Sequence, residues 1–125
     1  MVSIVIPTFN SSETLVSCLR SIKSQTYTNI EIIVVDKYSQ DDTVQIAKKF
    51  HARVLLLASE RSSARNLGAK EARGAFIYFV DSDTELTPRV IEECINVCLQ
   101  KDVDAVIIPE LSMGKGFLAE CRKIE

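Results

Sequence analysis

Five short apolar runs alternate along this chain with segments of helical periodicity. The runs are rich in β-branched residues and lie at 2–7, 30–35, 54–57, 76–80 and 104–109. Continuous apolar runs of this length are typical of strands covered on both faces, and strands separated by helices form mainly parallel sheets. The sequence therefore predicts an α/β fold, with a mainly parallel sheet, helices on both of its faces and right-handed crossovers.

Residues that favour the first turn of a helix stand between the predicted strands. They are Asn10 with Glu13 three positions later, Ser39, Ser62 or Ser63, and Thr87 followed by Pro88. Side chains of Ser, Thr and Asn accept hydrogen bonds from the first free N–H groups of a helix, and proline at the first turn loses none. We therefore expect four helices, each beginning near one of these positions.

Length and charge exclude several classes of function. The 125 residues fit a single domain, 1–125, and the formal net charge of −2 argues against a nucleic-acid partner, because such domains usually carry a basic excess. No apolar run approaches the length of about eighteen residues that a membrane span requires. The four glycines form neither a G-x-G-x-x-G fingerprint nor a P-loop.

The cysteines indicate where in the cell the protein is found rather than a metal site. Four occur, at positions 18, 94, 98 and 121, without a C-x-x-C pair, and His51 is the single histidine, so a zinc site is not favoured. We expect all four to be reduced, as is typical of cytoplasmic proteins. The N-terminus lacks the basic start of a signal peptide, and we expect the protein in the cytoplasm or at the cytoplasmic face of the membrane.

Polar clusters follow three of the predicted strands. They occupy 7–10 after the first strand, 36–39 after the second and 81–83 after the fourth. In open parallel sheets, ligands bind beyond the carboxyl ends of the strands, near the switch in strand order. The three clusters together therefore predict one binding site at this edge of the sheet.

Two carboxylates, Asp81 and Asp83, end the fourth strand. Alternate residues of an extended chain are about 6 to 7 Å apart, so both carboxylates can approach one hard cation. Two unit charges about 5 Å apart repel by roughly 3 kcal/mol at an effective dielectric constant of about 20, and a divalent ion removes that repulsion. Mg²⁺ or Mn²⁺ would suit these oxygen ligands. The alternative is a solvated turn, with Thr84 and Thr87 capping the next helix.

The motifs VSIVIPTFN, IEIIVVDKYSQDDT and SSARNLGAKEARGAFIYFVDSDTEL, in this order, closely resemble those of family-2 glycosyltransferases of the GT-A fold. The resemblance covers roughly 2–83, the N-terminal nucleotide-binding half of that family. It implies a Rossmann-like sheet and the inverting transfer of a sugar from a nucleotide-diphosphate sugar. It further implies that the chain is the donor-binding part of a longer enzyme.

The resemblance also assigns roles to individual residues. Thr8 would line the nucleotide pocket, Asp36 would accept a hydrogen bond from the base, usually uracil, and Arg65 would lie near the nucleotide. Asp81 would face the ribose, and Asp83 would hold Mn²⁺ or Mg²⁺ on the diphosphate, with Asp81 nearby as the other acidic residue of the metal motif. The alternatives are purely structural roles, in which Asp36 and Arg65 pair with each other and Thr8 is an ordinary turn residue.

Other features of the sequence leave the substrate open. In the family, an acidic or amide residue and then a small residue usually follow the base-reading aspartate. Here Lys37 and Tyr38 follow Asp36, so a UDP-sugar is preferred over a GDP-sugar but the base of the donor is not determined. The lysine could reach the diphosphate, and the tyrosine could stack near the base. Polyprenyl phosphate, a growing glycan and a protein side chain all remain open as acceptors.

The catalytic base is unassigned. In the family it lies in the C-terminal half, and although Glu110 follows the fifth strand, no motif gives it that role. We therefore expect the isolated chain to bind a sugar nucleotide weakly, to transfer sugar poorly and to self-associate through apolar surface.

Two other functions remain as alternatives. The segment 81–84 is superficially similar to the D-x-D-x-T motif of haloacid-dehalogenase-type phosphatases, but the threonine of that motif would fall at Glu85. The second alternative is a non-catalytic nucleotide-binding module.

Overall fold

A computed structural model of the protein describes residues 1–104, 106–107 and 122–123. Strands and helices alternate as expected. They are β1 (Val2–Thr8), α1 (Ser12–Lys23), β2 (Ile30–Asp36), α2 (Thr43–Lys49), β3 (Arg53–Leu56), α3 (Arg61–Glu71), β4 (Phe76–Phe79), α4 (Val90–Lys101), β5 (Val106–Ile107) and β6 (Arg122–Lys123). None of the helices described here is long and apolar enough to cross a membrane.

A four-stranded parallel sheet in the order β3-β2-β1-β4 forms the first compact unit, residues 1–20 and 29–85. Thr8 at the end of β1 lies opposite Asp36 at the end of β2, and Asp36 lies opposite Leu56 of β3. The carboxyl ends of β1 and β2 are therefore level, which brings the loops that follow them together. The predicted α/β fold with a mainly parallel sheet is confirmed.

Both faces of the two central strands are buried. On one face Val5, Ile33 and Val35 pack with Ala64 of α3. On the other face, Ile4 and Ile6 are fully buried as well. A side chain at Gly68 of α3 would overlap Val5, so the glycine lets α3 approach β1 closely. Burial on both faces confirms the expectation for β1 and β2.

The edge strands β3 and β4 are less covered than we expected from their apolar sequences. Leu56 is 51% exposed, Ile77 42% and Phe79 46%. Ile77 and Phe79 alternate along β4 and so lie on the same face of the sheet, which is only partly covered at this strand. The prediction that these two strands are covered on both faces is wrong.

The second compact unit comprises residues 21–28 and the chain from residue 86 onwards. The buried Gln25 connects its parts, because Nε2 donates to the carbonyl of Thr87 at 2.6 Å and Oε1 accepts from the N–H of Ile91 at 3.2 Å. The described part of the fifth predicted strand, β5, pairs antiparallel with β6 in a separate two-stranded sheet.

The helices begin later than the sequence indicated in three cases and slightly earlier in one. Asn10 has a left-handed backbone (φ 47°), so the carbonyl of Ser11 starts α1 instead. Helix α2 begins at Thr43 and α4 at Val90, whereas α3 begins at Arg61. The side chain of Ser39 does not cap α2, because it hydrogen-bonds to Asp36.

The cysteines differ in part from the expectation of four reduced thiols. Cys18 and Cys98 are free. Cys94 is disulfide-bonded, so the expectation is wrong at this position. Cys121 lies outside the described residues.

Candidate functional site

The loops after β1 and β2 are joined by hydrogen bonds at the carboxyl edge of the sheet. The hydroxyl of Thr8 donates to Oδ1 of Asp36 at 2.6 Å, and the N–H of Lys37 donates to the carbonyl of Thr8 at 3.0 Å. Because the two strands end in register, Thr8 and Asp36 face each other without distortion of either strand. Two of the three predicted clusters therefore form one surface.

Asp36 is fully buried and already has several donors. Besides the Thr8 hydroxyl, its carboxylate accepts the N–H of Ser39 at 2.7 Å on Oδ2 and the hydroxyl of Ser39 at 2.6 Å on Oδ1. A carboxylate has about four lone-pair directions, so about one, on Oδ2, is left. Asp36 does not pair with Arg65. In the structure its carboxylate holds the turn after β2 through these hydrogen bonds.

Two left-handed residues shape the same loops. Asn10 (φ 47°) and Tyr38 (φ 51°) each turn the chain back sharply. The N–H of Asn10 donates to the hydroxyl of Ser39 at 2.8 Å, and the side-chain oxygen of Asn10 accepts the N–H of Gln40 at 2.9 Å. Asparagine tolerates this backbone region better than most residues because its side chain bonds locally. The two loops thus hold each other in place.

The third predicted cluster, after β4, joins this surface. The hydroxyl of Ser82 donates to the hydroxyl of Ser11 at 3.1 Å, which connects the 81–83 loop to the loop after β1. Asp81 forms an ion pair with Arg65, whose Nη2 lies 3.0 Å from Oδ1. All three clusters therefore meet, as the sequence predicted, and Arg65 contributes through Asp81.

The pKa of the Cys18 thiol is affected by the negative charge of the third cluster. Burial first, and then the carboxylates of Asp83, Glu85 and Asp81 in that order, raise the pKa of Cys18 from 9.0 to about 12. Negative charge therefore accumulates at the end of β4. Such a region attracts a cation, because a positive charge there offsets the mutual repulsion of the carboxylates.

The two carboxylates at the end of β4, Asp81 and Asp83, are the candidate metal ligands. Among the described residues, no three His, Cys, Asp or Glu side chains are arranged to hold a metal ion. Arg65 already neutralises part of the charge of Asp81, whereas Asp83 is exposed and forms no ion pair with any residue that the structure describes. Hard oxygen ligands suit Mg²⁺ or Mn²⁺, which commonly bind through one or two carboxylates completed by water and phosphate oxygens. The residues fit a metal that arrives with a phosphate ligand.

A cavity of about 280 Å³ opens beside the carboxyl ends of β1, β2 and β3. Phe9 forms part of its wall with a ring that is 57% exposed, and the ammonium of Lys37 lies 5.6 Å from the centre of that ring. Tyr38 is equally exposed but does not line this cavity. The other lining residues are Pro7, Thr8, Val35, Leu57, Ser59, Glu60, Arg61 and Ala64.

The segment after β3 is the part of the site that the sequence analysis missed. Ser59, Glu60 and Arg61 line the cavity although β3 was given no polar cluster. The signal was present, because these polar residues directly follow a predicted strand, as the other three clusters do. Of the residues predicted from the sequence, Thr8 lines the cavity, and Glu110 lies outside the described residues.

Comparison with known proteins identifies the family of this chain. The chain belongs to glycosyl transferase family 2, whose model matches residues 3–111. This confirms the family membership predicted from its motifs. It is 38% identical to the glycosyltransferase GlyG of Streptococcus pneumoniae over 86% of this chain and 38% of that protein. The chain spans between 31% and 38% of the length of five curated relatives that it matches.

Two solved structures share its fold. TarS of Staphylococcus aureus (residues 1–349), in complex with UDP-GlcNAc, superposes with a TM-score of 0.80 at 27% identity, over 94% of this chain and 36% of that one. Glucosyl-3-phosphoglycerate synthase of Mycobacterium tuberculosis, in complex with Mn²⁺, UDP and glucosyl-3-phosphoglycerate, superposes with a TM-score of 0.63 at 26% identity, over 79% and 39%. These similarities confirm the Rossmann-like GT-A fold.

Proposed function

We propose that this chain binds the sugar-nucleotide donor of a glycosyltransferase that moves a sugar to an acceptor with inversion at the anomeric carbon. The observation that carries the proposal is the meeting of three polar strand ends at the carboxyl edge of the sheet, with a cavity beside the ends of β1 and β2. UDP-GlcNAc bound to TarS supports a UDP-sugar as the donor. No structural feature favours the phosphatase alternative, because Glu85 stands where its threonine belongs.

The cavity would hold the nucleoside. Phe9 offers an exposed aromatic face on which a base can stack, an interaction worth about 1 to 3 kcal/mol per base in single-stranded nucleic-acid binding. Lys37 and Arg61 bring positive charge to the same wall, where phosphate oxygens would accept hydrogen bonds from them. Thr8 would contact the ligand while its hydroxyl keeps Asp36 in place.

The acidic loop after β4 would hold the diphosphate through a divalent metal. When bound, Mn²⁺ or Mg²⁺ neutralises charge that develops on the leaving diphosphate. Mn²⁺ in the complex of glucosyl-3-phosphoglycerate synthase supports this assignment. Asp83 would be the metal ligand, with Asp81 held beside it and turned towards the ribose by its ion pair with Arg65.

Calorimetric titration of UDP-GlcNAc into the 125-residue chain tests this function. We expect binding that weakens about tenfold or more when EDTA replaces Mn²⁺, since a carboxylate–metal–phosphate contact is lost. Asp83→Ala should bind equally with Mn²⁺ and with EDTA, whereas Asp104→Ala, which changes an exposed carboxylate of the second unit, should behave like the wild type. Equal wild-type affinity in both buffers would refute the metal site, and absence of binding would refute the donor site. Transfer of the sugar from UDP-GlcNAc to an acceptor would exclude a non-catalytic module.

A further inference from the structure

The cavity presents an unusual combination of charges to a nucleobase. Among its lining residues, Glu60 alone carries a carboxylate, and Lys37 and Arg61 carry the positive charges. Glu60 directly precedes α3, but its side chain makes no capping hydrogen bond to that helix. The carboxylate is exposed and forms no ion pair or hydrogen bond with the other described residues, so it is available to a ligand.

Asp36 leaves little of its own carboxylate for a base. Thr8 and Ser39 together supply three hydrogen bonds to it, and the residue is fully buried. About one lone-pair direction remains on Oδ2. Asp36 can therefore accept one hydrogen bond from a base, and a second acceptor in the cavity would add to the discrimination between bases.

We propose that Glu60 is a base-selecting residue that favours nucleotides whose base carries a ring N–H group, namely uracil, thymine and guanine. This inference rests on the donor site proposed above. An ionised carboxylate only accepts hydrogen bonds, and Lys and Arg only donate them. Uracil and thymine present a ring N–H between two carbonyls, and guanine presents a ring N–H beside one carbonyl. The ring N–H of each of these bases matches the carboxylate of Glu60, while Lys37 and Arg61 remain available to the phosphate oxygens.

The carboxylate of Glu60 disfavours cytosine and adenine. Cytosine and adenine carry an unprotonated ring nitrogen at the corresponding position, which would face the carboxylate of Glu60 as a second acceptor. Two acceptors that face each other without a proton between them repel, and these bases lack the hydrogen bond that a ring N–H would form with Glu60. Glu60 thus selects by repulsion as well as by attraction.

Calorimetric titration of UDP, GDP, CDP and ADP, each with Mn²⁺, into the full chain tests the inference. We expect UDP and GDP to bind about tenfold tighter than CDP and ADP, the effect of one hydrogen bond to a charged group. Glu60→Gln should reduce this difference to about threefold or less, because an amide can donate as well as accept. Glu13→Gln, which alters an exposed carboxylate of α1, should keep the wild-type ranking.

The outcomes separate the two proposals. If none of the four nucleotides binds, the donor site itself is refuted and this inference with it. If they bind equally to the wild type, or with the same ranking in Glu60→Gln, the donor site stands and the role of Glu60 is refuted. A ranking lost in Asp36→Asn and retained in Glu60→Gln would assign base selection to Asp36 instead.

Discussion

At the scale of single residues, Asp36 joins two loops of the site. Its carboxylate accepts from Thr8 across the strands and from Ser39 within the turn that follows β2. Removing an acceptor from buried donors costs the desolvation of each donor left unpaired. The position therefore affects both the stability of the loops and the binding that depends on them.

Replacing Asp36 with asparagine should weaken the site. Asp36→Asn presents an NH₂ group to donors, so we expect about 1 to 3 kcal/mol less stability towards urea and a similar loss in UDP affinity. Asp42→Asn is the matched control, because Asp42 is exposed and makes no side-chain capping bond. An Asp36→Asn protein with wild-type stability and affinity would contradict the hydrogen-bond network described here.

The buried thiol of Cys18 makes the fold sensitive to alkali. Its pKa is raised from 9.0 to about 12, first by burial and then by the carboxylates of Asp83, Glu85 and Asp81. In the unfolded chain the thiol ionises above pH 9, whereas the folded chain keeps the proton. The stability from this group is therefore complete below pH 9 and is lost as the pH rises from 9 towards 12.

A variant without the thiol separates the contribution of Cys18 to the pH dependence of stability from that of other groups. Relative to Cys18→Ala, wild-type stability in metal-free buffer should fall by roughly 1 kcal/mol per pH unit above pH 9. Urea denaturation from pH 7 to pH 11 measures the difference between the two proteins. Parallel pH profiles would show that the folded thiol titrates normally.

At the scale of elements, the close contact of α3 with β1 depends on Gly68. A methyl group there would overlap the side chain of Val5 in the core. Gly68→Ala should therefore lower the free energy of unfolding by about 1 to 3 kcal/mol, although alanine favours a helix more than glycine. Asn66→Ala, at an exposed position of the same helix, should be neutral or slightly stabilising. Thermal denaturation of both variants makes the comparison, and a stabilised Gly68→Ala would contradict this packing.

The same elements show what the sequence could predict. Continuous apolar runs located β1 to β4, and helical spacing of apolar residues located the helices, because burial imposes both patterns directly. Helix starts were displaced because Asn10 and Ser39 bond across loops that are distant in sequence, which no local capping pattern reveals. The pairing of Arg65 with Asp81, and the part that the segment after β3 plays in the cavity, likewise depend on tertiary contacts.

At the scale of the whole molecule, the exposed apolar side chains of β4 favour self-association. Ile77 and Phe79 lie on an edge strand and are 42% and 46% exposed. Neighbouring apolar side chains that are exposed to solvent favour association with other chains. We expect sedimentation velocity to show dimers or larger assemblies that dissociate in Phe79→Ser. Leu99→Ser, at a similarly exposed position of α4, should leave the assembly unchanged, and a wild-type monomer at all concentrations would contradict the prediction.

The central claim is that the carboxyl edge of the sheet binds a sugar nucleotide. Chemical-shift mapping of amide groups with UDP-GlcNAc and Mg²⁺ tests it directly in a protein of 13.9 kDa. We predict shifts at Thr8, Lys37 and Ser39, at Glu60 to Arg65 and at Asp81 to Asp83, with Ser3 and Gly74 at the opposite end of β1 unchanged. Shifts confined to the opposite end, or none at saturating ligand, would contradict the account.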